Sequence, residues 1–475
     1  MLPKTLKYQS KVESAMAQSY RTNIAPQNGT GPYPLGSNII INIPTSNNLV
    51  LATTESYLKF GLYLTASNAN VFRLDSCGAH GLIQRIRVFH GSNLLQDIDN
   101  YGLMAKMFFD LQQSTDACYG RQNELVGTRN DLVSSAATGA VFAANTTTYS
   151  SCNQINSGEG FNFAAGGAVS VAGNNCNTVI TAAIPRYFCL NLISILGSLN
   201  SQNYFALFAC TSAPIRLEIQ LVAGIVNAGM DVLGTTVASL NNVEYIANFI
   251  KLSDTAMSMI QSSLEGQPLQ FTVPDYSNYQ HTATLQNAAG STQVNFSIPA
   301  KYSSLKSIFV MVRDQGIGAA AFYPYSTVTA GLNSYYFRVG SSIMPTKAPD
   351  NLPEIFAECL KAMGSMSDLN WQPSIEKMSY ETVTSGTAIN TGCTIANNGY
   401  VSSGSFYIGL DLENYVSAPK DSIFCGYNSN TDDIFCVLNF NWAAAPGAVI
   451  NMRFDAFAMF DSVIVCDNNV CFRKF

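Results

Sequence analysis

Charge is scarce in this sequence. Asp, Glu, Lys and Arg make up 12% of its 475 residues, about half the usual content. A soluble chain so poor in charge either hides surface against other subunits or is an Asn/Ser/Thr-rich β protein with a neutral exterior. Long hydrophobic runs are missing too. Although 47% of residues are hydrophobic, no uninterrupted apolar stretch approaches the ~18 residues of a membrane span. The net charge of −6 argues against a protein that wraps nucleic acid directly, because such binding needs Lys and Arg to neutralise phosphates. No sequence-specific nucleic-acid partner is therefore expected. Histidine is limited to His80, His90 and His281, and tryptophan to Trp371 and Trp442. A glycan-binding or glycan-cleaving β-sandwich usually shows more Trp and a convincing pair of acids. GxSxG, Walker A, GxGxxG and HExxH are all absent, and with them the chemistries those motifs serve. We expect no catalytic residues, no cofactor and no metal.

Weaker hints of chemistry fail on spacing. His80 and His90 share one segment, but no third ligand lies at metal spacing, so both read as hydrogen-bonded turn or core residues. Asp97-x-Asp99 with Gly102 resembles the start of a calcium loop, yet position five is Tyr101 and position twelve is Phe108, where a bidentate Glu is required. Asp432-Asp433 reads as a turn. None of the 12 cysteines forms a CxxC, and several sit in apolar segments (Cys189, Cys210, Cys359, Cys425, Cys436) as small buried hydrophobes. Cys466 and Cys471 flank an Asp467-Asn468-Asn469 turn and would face each other across a hairpin. The opening MLPKTLKYQSKVES has no apolar core or small-residue cleavage site, so we expect no secretory route. Thiols would then be reduced where the chain is made. The glycosylation-like triplets at Asn28, Asn145 and Asn295 read as chance matches.

What is present is organised around Cys77–Gln113. Leu82, Ile86 and Val88 share one face of a strand by period two, with Arg85 and Arg87 on the other. Gly91-Ser92 suits a tight hairpin turn, and Asn93–Ile98 returns. Asp99 would cap a helix over about 100–113, in which Met104, Phe108 and Leu111 make an apolar stripe.

Around this unit the chain reads as short strands. Residues 1–37 form a basic arm carrying Lys4, Lys7, Lys11 and Arg21 against a single Glu13. Val12, Met16 and Tyr20 are spaced for a short amphipathic helix within it. Strands are expected at Asn38–Ile43, Tyr57–Thr65, Ile180–Leu190, Pro214–Val222 and Val243–Leu252. A Gly/Ala/Ser/Asn-rich loop at 116–177 interrupts them, of a length that is often functional. Ser253–Leu264 reads as a capped junction helix. Beyond it the grammar repeats, with a strand at Lys301–Arg313, a helix opened by Asp350-Asn351-Leu352-Pro353-Glu354, strands at Tyr335–Arg338, Ser405–Leu412, Ile434–Asn441 and Ile450–Phe460, and a terminal hairpin. We take Lys301–Arg313 and the helix after Asp350 as a looser copy of the Cys77–Gln113 unit. The division is an arm (1–37), a first β unit (38–253), a linker helix (254–267) and a second β unit (268–475). Short strands bounded by turn residues indicate an all-β protein of sandwich or jelly-roll type.

The quoted stretches carry a resemblance. CGAH ahead of a strand followed by RIRVFHGSNLLQDIDNY is similar to the first barrel of double jelly-roll major capsid proteins of tailless icosahedral double-stranded DNA viruses. That group includes polinton-like viruses, virophages and relatives of large algal viruses. YSSLKSIFVMVR, YYFRVGSSIMPTKAPDNLPEIFAECLKAMG, GLDLENYVSAPKDSIFCGYNSNTDDIFCVLNF and the closing FDAFAMFDSVIVCDNNVCFRKF resemble its second barrel. The resemblance implies two tandem eight-stranded antiparallel jelly rolls with short flanking helices. It further implies a structural, non-enzymatic protein that forms homotrimers of pseudo-hexagonal outline, and such trimers tile a shell. Neighbouring capsomers and minor capsid or penton proteins would be partners, and the arm would lie inside, against an inner membrane or inner component. The chain would be made in the host-cell interior and reside in the virion. Outer or inter-capsomer loops would fall at 116–177 and in parts of 315–350 and 380–404. The competing readings are the glycan-active β-sandwich and a penton or spike protein, the latter disfavoured by the tandem repeat.

Overall fold

A computed structural model describes residues 16–65, 71–127, 132–133, 160–162, 185–200, 204–231, 237–264, 266–285, 289–314, 323–364, 373–375, 377–381, 400–401, 403–414, 425–442 and 450–475. Lys4, Lys7 and Lys11 of the expected arm, most of the 116–177 loop, and the loop segments 315–322 and 382–399 lie outside these residues.

The first half builds eight principal strands: β1 (Ala17–Ile24), β2 (Asn38–Ile43), β3 (Tyr57–Thr65), β4 (Ile83–His90), β5 (Asn93–Asp99), β6 (Arg186–Leu190), β7 (Ile215–Leu221) and β8 (Val237–Leu252). They form two antiparallel sheets, ordered β1-β8-β3-β6 and β2-β7-β4-β5. The second half builds β9 (Leu269–Leu285), β10 (Gly290–Ile298), β11 (Leu305–Asp314), β12 (Leu332–Val339), β13 (Ser342–Met344), β14 (Ile408–Asp411), β15 (Ile434–Trp442) and β16 (Ile450–Asp467). Their sheets run β9-β16-β11-β14 and β10-β15-β12-β13. Counted from the start of each half, both units therefore read 1-8-3-6 over 2-7-4-5, which is a jelly roll used twice. A further strand, β17 (Val470–Lys474), folds back on β16.

Why these residues make these strands is clearest in β7, where Ile215, Leu217, Ile219 and Leu221 point into the barrel and Arg216, Glu218 and Gln220 point away. That alternation is what one buried face requires. β11 and β16 differ because both of their faces are covered. Ile308, Val310 and Val312 fill the second barrel, while Phe309 and Met311 join the core of the first. The unbroken apolar text IFVMV (308–312) follows from this double burial.

Helix α1 (Tyr101–Gln112) leaves β5, and all of its residues from Tyr101 to Leu111 are buried. Helix α2 (Asp254–Leu264) joins the halves, with the Ser253 hydroxyl accepting from the Ala256 N–H at 3.2 Å. Helix α3 (Leu352–Met363) follows β13 as α1 follows β5. Its cap is reciprocal: Asn351 accepts from the Glu354 N–H at 2.9 Å, and Glu354 takes the Asn351 side-chain amide at 3.1 Å.

Three expectations need correction. Residues 17–20, expected in a short helix within the arm, belong instead to the strand β1, which pairs along β8 from Ala17–Leu252 to Ile24–Tyr245. Asp99 does not cap α1. It accepts from the Asn100 N–H at 2.8 Å, and Asn100 sits at the cap position with φ 49° and makes no side-chain cap bond. The copy of β4 is β12 rather than Lys301–Arg313, whose strand β11 matches β3. The shared turn shows it, since Gly91 after β4 and Gly340 after β12 both take positive φ, 58° and 56°, which glycine adopts without a Cβ clash.

Candidate functional site: the seam between the barrels

One continuous segment of the first barrel, from His90 to Asp110, faces the second barrel along its length. The sheet β9-β16-β11-β14 turns its outer surface toward this segment, and Phe108 meets Tyr276 edge-on with ring centroids 5.2 Å apart. The apolar contacts hold a ladder of buried polar groups.

At one end lies a clasp. Cys466 and Cys471 stand opposite each other on β16 and β17 and are disulfide-bonded. The thiol of Cys210, just before β7, lies 2.6 Å from the Cys471 sulfur and 3.9 Å from that of Cys466. His90 bridges the barrels: its Nδ1 accepts from the Cys471 N–H and its Nε2 donates to the Cys210 carbonyl, each at 3.1 Å. Asn93 donates to the Cys471 carbonyl at 3.1 Å, and the Ser212 hydroxyl donates to the Asn469 carbonyl at 2.7 Å.

The next rung is ionic. Arg473 reaches Asp275 at 2.6 Å, and Gln96 from β5 donates to the same carboxylate at 3.0 Å while accepting from the Ile195 N–H at 2.8 Å. Burial pushes the Asp275 carboxyl above its usual range against the opposing pull of Arg473. A turn further on, the Asn100 amide donates to Asn278 at 2.8 Å and to Asp455 at 3.3 Å. Arg313 pairs with Asp455 at 2.6 Å and also donates to the Pro324 carbonyl at 3.0 Å.

Then Tyr325, from the second barrel, inserts between Gly81 and Gly102. Its hydroxyl donates to the Gly81 carbonyl at 2.8 Å and its N–H to Asp75 at 2.9 Å. A Cβ on Gly102 would come within 2.5 Å of that hydroxyl oxygen, so any larger residue there must displace the Tyr325 ring. The last rung is Lys106, fully buried in α1. Its ammonium donates to Asp110 at 2.7 Å, Ser76 at 2.8 Å and Ser405 at 3.1 Å, and Tyr407 donates to Asp110 at 2.6 Å. Burial alone would depress Lys106, but the Asp110 and Asp75 charges outweigh it and hold the ammonium above its usual range. All three of its N–H donors are used, which is the condition for burying such a charge.

This site binds two barrels into one body. Of the residues weighed in the sequence, His90, Cys210, Cys466 and Cys471 belong to it. His80 is buried against Tyr101, whose hydroxyl lies 2.9 Å from Nδ1, and His281 stacks on Phe296 at 5.1 Å. Asp97 pairs with Arg85 at 2.6 Å and Asp433 with Lys301 at 2.8 Å. Arg21 lies exposed on β1, over the Tyr57 ring at 5.8 Å. Sequence reasoning missed the ladder itself, apart from His90 and the cysteine hairpin. Lys106 and Asp110 carried a signal, being charged groups four apart inside an otherwise apolar helix.

No protein-family model and no curated protein sequence matches the chain. Solved structures do. PBCV-1 VP54, fitted into a reconstruction of the virophage Sputnik, superposes with a TM-score of 0.59 at 10% identity, over 98% of this chain and 99% of that one. The mavirus major capsid protein gives 0.54 at 9% identity over 100% and 95%. The Faustovirus major capsid protein gives 0.54 at 10% identity over 97% and 92%. With its paired 1-8-3-6 and 2-7-4-5 sheets, the chain has the double jelly-roll fold of these viral major capsid proteins.

Proposed function

We propose that the chain is a structural major capsid protein, three copies of which assemble into a capsomer of pseudo-hexagonal outline that tiles an icosahedral shell. The observation that carries this reading is the tandem repeat of one strand order, locked side by side by a buried seam. Two barrels fixed as one body give a trimer six similar corners. Near-full-length likeness to capsid proteins supports it. Large apolar side chains left exposed on the single chain, among them Tyr204 at 54%, Val237 at 67% and Ile343 at 50%, are candidates for contacts between copies. Neighbouring capsomers and minor or penton proteins are the further partners, and the virion is the site of action. In this reading Lys4, Lys7 and Lys11 precede β1 and reach an inner membrane or inner component.

Native mass spectrometry and negative-stain imaging of the purified chain test the proposal together. Compact trimers with hexagonal outline are expected. A stable monomer that binds or cleaves oligosaccharide would overturn it.

A further inference from the structure

The clasp contains more sulfur than one disulfide uses. Cys210, Cys466 and Cys471 are all buried, and their sulfurs lie within 4.8 Å of one another. They come from both barrels: Cys210 precedes β7 of the first, whereas Cys466 and Cys471 close the hairpin of the second. His90 holds the two backbones in register from either side of the cluster.

We propose that this cluster is a covalent cross-link site with two alternative pairings, in which Cys471 bonds either to Cys466 within the hairpin or to Cys210 across the seam. The two states interconvert by thiol–disulfide exchange. Cys210 gives up its proton and its sulfur bonds to the Cys471 sulfur. The Cys466–Cys471 bond breaks, and its electron pair leaves with the Cys466 sulfur, which takes up a proton. One disulfide and one thiol stand on each side, so no oxidant is consumed.

The two pairings differ in consequence. The hairpin bond spans 5 residues and leaves the seam itself without a covalent link, the barrels being connected only through the α2 segment of the chain and by non-covalent contacts. The bond to Cys210 spans 261 residues and ties the barrels together, and a longer closed loop restrains the unfolded chain more. Burial pushes the Cys210 thiol up to about 12, so it is protonated near neutral pH and exchange in the closed seam is slow. The two pairings therefore interchange slowly.

The test is disulfide mapping of the full-length protein. The protein is equilibrated near neutral pH over a series of reduced and oxidised glutathione ratios, each held until the distribution stops changing, then quenched with N-ethylmaleimide and digested without reduction. A peptide joining Cys210 to Cys471, alongside the one joining Cys466 to Cys471, is the expected result. Its absence at every ratio overturns the proposal. So does the finding of three unmodified thiols that bind stoichiometric zinc in place of any disulfide. Cys466→Ser should give the cross-seam pair alone and melt several degrees above its own reduced form. Cys210→Ser should give only the hairpin pair and show a smaller difference.

Discussion

At the scale of single residues, the seam concentrates what is costly to bury. Asp275 and Arg473 illustrate the balance. Removing one partner of such a pair leaves the other charge uncompensated, a loss of about 3–5 kcal/mol, whereas replacing both by apolar groups is often neutral. Asp275→Asn should therefore lower the unfolding midpoint in urea by an amount of that order, and adding Arg473→Met should restore most of it. Additive losses in the double variant would show that the pair does not act as a unit. His80 gives a pH signature. Burial lowers it from its ordinary 6.5 to about 3, so between those values the unfolded chain binds a proton that the folded chain refuses. Its contribution is complete above pH 6.5 and is lost as pH falls toward 3, at up to about 1.4 kcal/mol per pH unit. Asp275, raised by burial, acts in the opposite sense, so the comparison must be between wild type and variant. His80→Asn, which keeps an acceptor for Tyr101, should flatten the wild-type decline on acidification. Parallel profiles would contradict the assignment.

At the scale of elements, the sequence was readable wherever one face of a strand is buried and the other is wet. Asn38–Ile43 and Tyr57–Thr65 were marked to the residue, and the hairpin and helix of 77–113 to within a residue or two. β9 was not found. Its seventeen residues, LQFTVPDYSNYQHTATL, are polar and hold Pro274, because β9 is the edge of its sheet and proline is tolerated there. β1 was misread because Met16 and Tyr20 satisfy a helical spacing as well as an extended one, and pairing with β8, more than two hundred residues away, decides between them. The seam was hidden for a related reason. Alternation along Ile450–Phe460 puts Asn451, Arg453 and Asp455 on the side opposite Met452 and Phe454, where polar residues would suit water, but the structure covers that side at Asp455, which is 0% exposed. Two substitutions probe elements directly. Ile86→Asp with Val88→Asp places charge at two fully buried positions of β4 and should abolish soluble protein. Gly102→Ala should push Tyr325 from its slot and cost about 1–3 kcal/mol, seen as a lower melting temperature with the circular dichroism spectrum unchanged. An unshifted midpoint would mean that Tyr325 moves freely.

At the scale of the whole molecule, the two barrels share one core. Phe309, Met311, Tyr407 and Phe457 of the second half pack into the cluster centred on the first. A chain of residues 266–475 alone would expose those groups together with Asp275 and Asp455. We expect it to aggregate or to bind hydrophobic dyes, while the full chain melts in a single transition. A soluble fragment with its own sharp melt would show that the seam is dispensable. The tandem plan was legible from the short strands, amphipathic helix and closing strand that recur in each half, although the strand paired with β4 in that reading was the wrong one. The lateral packing was not, because no residue pattern states which outer face meets which.

The strand order also sets a schedule. Ala17 pairs with Leu252, 235 residues later (252 − 17), and a ribosome adding about 5–20 residues per second needs roughly 10–50 s to deliver that partner. Throughout that interval β1 waits as an open edge. On a polysome crowded with identical nascent chains, the β8 of an older neighbour is already displayed. Strand-swapped dimers joined through β1 are therefore the misassembly product to look for when translation across residues 25–252 is slowed.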